Sequence, residues 1–419
     1  MKNTTHVRYA IDNASILFLA QIRKDHTNSF RFTMTLTEPV CPDTLQQAVD
    51  RIYRRFPTVI AGFQSGLFRY FQVPAKRPPQ VQKDPGCLLT MTKEELHNCA
   101  YRVYYSGSTI AIEAFHALTD GYGAIASFST LVAEYLRLAH HIAIPISHTL
   151  LEVSDTPAVQ ELEDSFLTYE QSTASRLPSR YAYQLPGGQE PRESIRKSTY
   201  SVPTQMLLDA SHRYGVSANT LLSAIMADSV MQMQKCRKKK HLKPVRIMVP
   251  VNLRKLFPST TLRNFSYYVL PTMEPEDAGK PLSHLVCSFG QQIRTQVEKN
   301  QMGAIITNNV KLQNMWLFRG IPLTLKRILM LTICRFFGET NSSITVTNLG
   351  NVVLPEEMSK YVHHMDVTLT PRMLSPYGCA ILSYNGLLSI NISRFSKDTE
   401  LEEIFFKKLD DVVNHEANI

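Results

Sequence analysis

The chain has 419 residues, 44% of them hydrophobic, and a formal net charge of +9. A single core stops growing at roughly 250–300 residues, so two domains are expected, and the apolar content excludes an extensively disordered chain. The seven cysteines are scattered and form no CxxC pair, a pattern that argues against a disulfide framework or a cysteine–zinc site and fits free thiols in a reducing, cytoplasmic setting.

The start, MKNTTHVRYAIDNASILF, lacks the basic head, apolar centre and small-residue cleavage site of a signal peptide. Residues 27–37, TNSFRFTMTLT, alternate as a strand does. Pro42 and Asp43 then open a helical pattern with Leu45, Ala48, Val49, Ile52 and Phe56 on one face, stopped by Pro57. Short strands are expected over 67–73 and 88–91. Residues 101–105 (YRVYY) and 109–115 (TIAIEAF) read as a hairpin across SerGlySer. A helix follows from about Tyr122 to His141. Residues 166–197, rich in Pro, Gly and charge, read as a linker between an N-terminal domain (1–165) and a C-terminal one (198–419).

The second half opens with a strand and two helices, with Ser217 or Asn219 as N-cap. A basic run, KCRKKKHLK (235–243), has the character of a solvated loop. A buried strand is expected over 245–251 and a helix over 282–300. The segment 325–338, LKRILMLTICRFFG, is the nearest approach to a membrane element. Its three basic residues leave a half-buried helix, or one resting weakly on a membrane surface, rather than a span. Residues 343–349 (SITVTNL) form another strand, 378–393 a hairpin over Asn385-Gly386, and 401–413 a closing helix. Each half mixes strands and helices, an α+β pattern twice over.

Where strand 109–115 ends and the next helix begins stands FHALTDGYG (115–123). A histidine is neutral near pH 7 and able to take a proton from a hydroxyl, so His116 is a candidate base, although a histidine after an apolar strand also serves as an ordinary buried group. Gly121, and with it Gly123, suits a positive φ or a close backbone approach. His116 and Asp120 could both ligate a metal, but Gly121 breaks the helix such a pair needs. No third ligand follows, and the adjacent His363 and His364 would diverge in a strand. No metal is expected. The positive charge favours anionic partners, whether nucleic acid, anionic lipid or a phosphate-bearing cofactor, and no nucleic-acid-binding motif is present.

HALTDG fits the HxxxDG signature of the chloramphenicol acetyltransferase-like superfamily, which includes peptide-synthetase condensation domains. VPVNLRKLFPSTTLRNF (249–265), SITVTNLG (343–350) and YGCAILSYNGLLSINISR (377–394) most resemble its bacterial alcohol acetyltransferase branch. The likeness runs over essentially the whole chain. It implies two similar α+β domains with an active-site tunnel at their interface and His116 midway along it. It implies an acyl thioester donor, acyl-CoA or an acyl carrier protein, as substrate with no permanently bound cofactor, and a small-molecule acceptor, here a hydroxyl. Phe115 stands where condensation domains carry the first His of HHxxxDG, which argues against a peptide-synthetase role. The resemblance further implies that Asp120 turns from the substrate to pair with Arg254. Thr345, Thr347 and Asn348 would then line the tunnel, with an oxyanion contact as one use. Acyl transfer to the hydroxyl through a ternary complex is the expected function. Carrier-protein-dependent amide formation and a non-catalytic binding module are the alternatives.

Overall fold

The structure, a computed structural model, describes residues 7–169, 181–187, 195–237, 241–314, 320–333 and 339–414. The strands in chain order are β1 (Tyr9–Ala10), β2 (Ser29–Leu36), β3 (Ala61–Ser65), β4 (Tyr70–Pro74), β5 (Val81–Lys83), β6 (Tyr101–Ser106), β7 (Thr109–Phe115), β8 (Arg196–Pro203), β9 (Val245–Asn252), β10 (Ser266–Val269), β11 (Thr272–Met273), β12 (Ile344–Val352), β13 (Val362–Leu369), β14 (Tyr377–Tyr384) and β15 (Leu387–Arg394). One sheet runs β13-β2-β7-β6-β5. A second runs β10-β9-β12-β14-β15-β8, with β11 also on β9. A small third one is β1-β4-β3.

In the first half, alternation along β2 sends Phe30, Phe32, Met34 and Leu36 into one core. The helix Pro42–Ile52 starts with proline in its first turn and lays Leu45, Ala48, Val49 and Ile52 on that core. Leu45, Val49 and Ile52 each contribute roughly 1.5–3 kcal/mol by leaving water. The helix Gly121–His140 packs beside it. The β6–β7 hairpin closes at Gly107, whose φ is 55°. Residues 88–91, expected as a strand, form none. Leu88 and Met91 are buried, but the carbonyls of Leu89 and Thr90 accept from the Arg102 guanidinium instead of joining a ladder. The edge position beside β6 goes to β5, which runs parallel to it.

In the second half, the helices Ala218–Cys236, Leu282–Val297 and Glu400–Asn414 cover the larger sheet. Of the two candidate caps, Ser217 is the one used: its hydroxyl accepts from Thr220 N at 3.2 Å. Asn385 (φ 48°) and Gly386 (φ 76°) make the two-residue turn between β14 and β15.

Two features lock the halves together. Strand β13 pairs antiparallel with β2, so a strand from the C-terminal half of the sequence forms the edge of the N-terminal sheet. Strand β14 is buried on both faces: Ala380, Leu382 and Tyr384 enter the first core, and Cys379 and Ile381 the second. Between the halves, Phe166, Tyr183 and Leu185 of the linker segment are buried in the second core, while its residues 170–180 and 188–194 lie outside the described residues. In the basic run, Arg237 pairs with Asp398 and Glu400, and 238–240 lie outside the described residues. Among the described residues no helix is long and apolar enough to cross a membrane.

Candidate active site

The motif is held from both halves. His116 N donates to Asn28 O (2.8 Å) and Leu118 N to Phe115 O (2.9 Å), which turns the chain sharply at the end of β7. Asp120 caps the helix Gly121–His140, its Oδ1 accepting from Tyr122 N (3.1 Å) and Gly123 N (3.4 Å). Its Oδ2 accepts from Arg254 Nη1 (2.7 Å) and from Phe265 N (2.8 Å). Both side chains of the ion pair are 6% exposed. The Arg254 guanidinium also donates to Thr261 O and Arg263 O and lies 4.6 Å from the Tyr122 ring centre. All of the Asp120 carboxylate is thereby used in fixing the loop.

The same segment of the second half seats the rest of the motif. Thr119 Oγ1 donates to Leu262 O at 2.6 Å. A Cβ on Gly123 would stand 2.1 Å from that carbonyl oxygen, so the backbones approach as only glycine permits. A Cβ on Gly121 would instead meet the Leu349 side chain of β12 at 2.5 Å. Neither glycine has a positive φ. Of the two readings open for Gly121 the positive-φ one is corrected: it lies in the first turn of a regular helix, and the steric demand falls chiefly on Gly123.

His116 is half-buried. Its ring stacks on Phe18 (4.5 Å, 18°) and meets Phe30 edge-on (5.1 Å, 78°). Nδ1 is buried and makes no hydrogen bond among the described residues, and the Asn264 side chain stands within reach of the ring. Burial holds the imidazole below its ordinary pKa, against opposing contributions from its own main chain, Asp120, Asn264 and Asp12. A neutral, oriented imidazole can accept a proton.

Sequence reasoning missed the polar cluster behind the ring. Asn264 Nδ2 donates to His116 O at 3.1 Å, and its carboxamide is close enough to act on both His116 and Asp12. Asp12 is fully buried. Its Oδ1 accepts from Ser15 N (2.7 Å), and the single Ser15 hydroxyl hydrogen lies between that Oδ1 (2.8 Å) and Ala117 O (2.7 Å). Arg263 Nη2 stands 3.7 Å from Asp12 Oδ2. Burial raises the Asp12 carboxyl above the usual carboxylate range. The available signal was local: DNAS (12–15) has N-cap spacing, and Arg263 and Asn264 directly precede the Phe265 whose amide holds Asp120.

Thr345 and Thr347 sit half-exposed on one face of β12, alternating with buried Ile344 and Val346. Thr345 Oγ1 lies 3.6 Å from Met248 Sδ, and Asn348 Oδ1 accepts from Gly350 N at 2.8 Å. Among the described residues no hydrogen bond joins these three to His116. Strand β12 reaches the motif through Leu349 against Gly121. A cavity of about 240 Å³ lies beside the helix Asn13–Ala20, and His116 is not among its walls.

Solved structures share this architecture from end to end. Polyketide synthase associated protein 5 from Mycobacterium tuberculosis superposes with a TM-score of 0.60 at 13% identity, covering 100% of both chains. The epimerization domain of the third module of tyrocidine synthetase B gives 0.61 at 14%, covering 99% of this chain and 98% of that one. The trichothecene 15-O-acetyltransferase of Fusarium sporotrichioides gives 0.60 at 10%, covering 97% and 94%. The chain has their fold. No family model matches the sequence, and no curated protein matches it either. At such identities the likeness carries the mixed α/β fold of condensation and acetyltransferase domains and leaves the chemistry to the site.

Proposed function

We propose that the chain is an acyltransferase in which His116 is the general base. The observation that carries the reading is the pairing of a half-buried, neutral imidazole, held between Phe18 and Phe30, with an Asp120 turned wholly into structural contacts. The acceptor hydroxyl gives its proton to Nε2 as its oxygen attacks the thioester carbonyl. The C–S bond then breaks, and the thiolate leaves carrying the proton returned by the imidazolium. The neutral ring therefore carries its proton on Nδ1 before reaction. The acceptor attacks directly, so both substrates must be bound together, reaching the ring from opposite ends of the seam. Acyl-CoA is the donor in this reading. Thr345 and Thr347 line the passage, and Asn348 stands at its end as a donor for the developing oxyanion.

The fold supports acyl transfer as a class, since the superposed structures include an acetyltransferase and a mutant of a starter condensation domain in complex with C8-CoA and Leu-SNAC. The test is free-thiol release from acetyl- and longer acyl-CoA with a panel of alcohols and amines. His116→Ala should lower turnover by about 10²–10⁴-fold with an unchanged melting temperature. Near-full turnover in that variant removes His116 as base. Transfer that requires a carrier-bound thioester, or that succeeds only with amines, replaces the hydroxyl reading by condensation-type amide formation.

A further inference from the structure

The cavity beside the helix Asn13–Ala20 has two kinds of wall. Ile11, Ile16, Ala20 and Met330 make an apolar floor, and Arg69, Lys326 and Arg327 stand around it. None of these three cations forms an ion pair among the described residues. Lys326 Nζ donates to Phe68 O (2.8 Å), and Arg327 Nη2 to Ile22 O (2.6 Å). Burial and the neighbouring Arg69 both pull the Lys326 ammonium below its ordinary pKa, so positive charge is crowded there. The one carboxylate in the wall, Asp164, is pushed up to about 6 by burial and by Asp12, so it is ionised at neutral pH and loses its charge in mildly acidic solution. Ile16 and Ala20 share one face of their helix, one turn apart. Phe18, two residues from each, projects from the opposite side onto His116. The cavity and the imidazole therefore lie on opposite faces of one helix.

We propose that this cavity binds an amphiphile with an apolar chain and an anionic head, a carboxylate or a phosphate. The chain would lie on the apolar floor and the head among Arg69, Lys326 and Arg327, which supply point charges and a planar guanidinium fork for an oxyanion. The inference goes beyond the acyl-transfer reading and does not depend on His116.

The test is calorimetric titration of the full chain with decanoate, decyl phosphate and decyltrimethylammonium. Both anions should bind at one site, and the cation at least tenfold more weakly. Arg69 is exposed, so Arg69→Glu should fold normally and weaken both anions by tenfold or more. Ala20→Phe, checked for native circular dichroism, should abolish binding by filling the floor. His116→Ala should bind as the unaltered chain does, which separates a failure here from a failure of the acyl-transfer reading. Equal affinity for cation and anions, no binding of either anion, or affinities unmoved by Arg69→Glu would overturn the proposal. The ranking of decanoate against decyl phosphate identifies the head group.

Discussion

At the scale of the residue, the two titratable members of HALTDG are assigned opposite tasks, and each assignment has a measurable sign. Burial disfavours the protonated His116 ring, so its pKa lies below the ordinary value near 6.5. The acid limb of kcat/KM should therefore fall below pH 6.5. A limb above that value would mean that a different group is being titrated. Folding linkage has the same direction: the unfolded chain binds the His116 proton first as pH drops, so the stability of the neutral ring is complete above about 6.5 and declines below it. Asp120 is read through its partner. Arg254→Met leaves a carboxylate buried without its cation and should cost about 3–5 kcal/mol in urea denaturation. The same change at Arg51, which is 55% exposed and whose buried partner Glu134 keeps Arg137 at 3.3 Å, should cost no more than about 1 kcal/mol.

At the scale of the element, the turn from β7 into the helix Gly121–His140 is set by what lies against it. Gly121→Ala requires only that the Leu349 side chain rotate, and the gain in helix propensity, about 1 kcal/mol, offsets much of that. Gly123→Ala drives a methyl into the Leu262 carbonyl, where backbone must move, and should cost about 1–3 kcal/mol or more. Comparing the melting temperatures of the two variants checks this order, and equal losses would contradict it. The helix Leu323–Ile333 shows the same dependence on neighbours. It docks on the Asn13–Ala20 helix with Met330 buried and with Leu325 (57%), Ile328 (62%) and Leu329 exposed, so its described part is more exposed than the half-burial expected of 325–338, and residues 334–338 lie outside the described residues.

At the scale of the whole molecule, the exchange of β13 makes the halves mutually dependent. Asp366 on β13 accepts from Lys197 Nζ (2.7 Å) and from Asn391 Nδ2, tying the first sheet's edge to the second sheet. Tyr384 Oη donates to Val362 O (3.1 Å) from the other side. A fragment ending at residue 197 lacks β13 and the core residues Val362, Met365 and Val367. It should lose near-ultraviolet circular dichroism and bind a hydrophobic dye, whereas the full chain should melt in a single transition. A fragment with native near-ultraviolet spectra would show that the first half needs no strand from the second.

By itself the sequence determined the local structure. Period-two alternation in SFRFTMTL, the helical stripe after Pro42, the Asn385-Gly386 turn and the Ser217 cap each depend on neighbours within a few residues, and each could be read there. The contact of Asp120 with Arg254 could be expected only through a family resemblance, because 134 positions separate them and no local rule spans that distance. Tertiary structure alone decided the rest. The alternation of β13 is obscured by His363, His364 and Asp366, and only the place of Asp366 is explained, by contacts to a second sheet that no local window contains. Residues 88–91 have the apolar character of a strand, yet Arg102 takes their carbonyls. Asn264 and Asp12 meet behind His116 because two distant loops are pressed into one seam. Side-chain identity fixes short-range geometry, while which polar atoms share a buried site is set by how whole sheets pack.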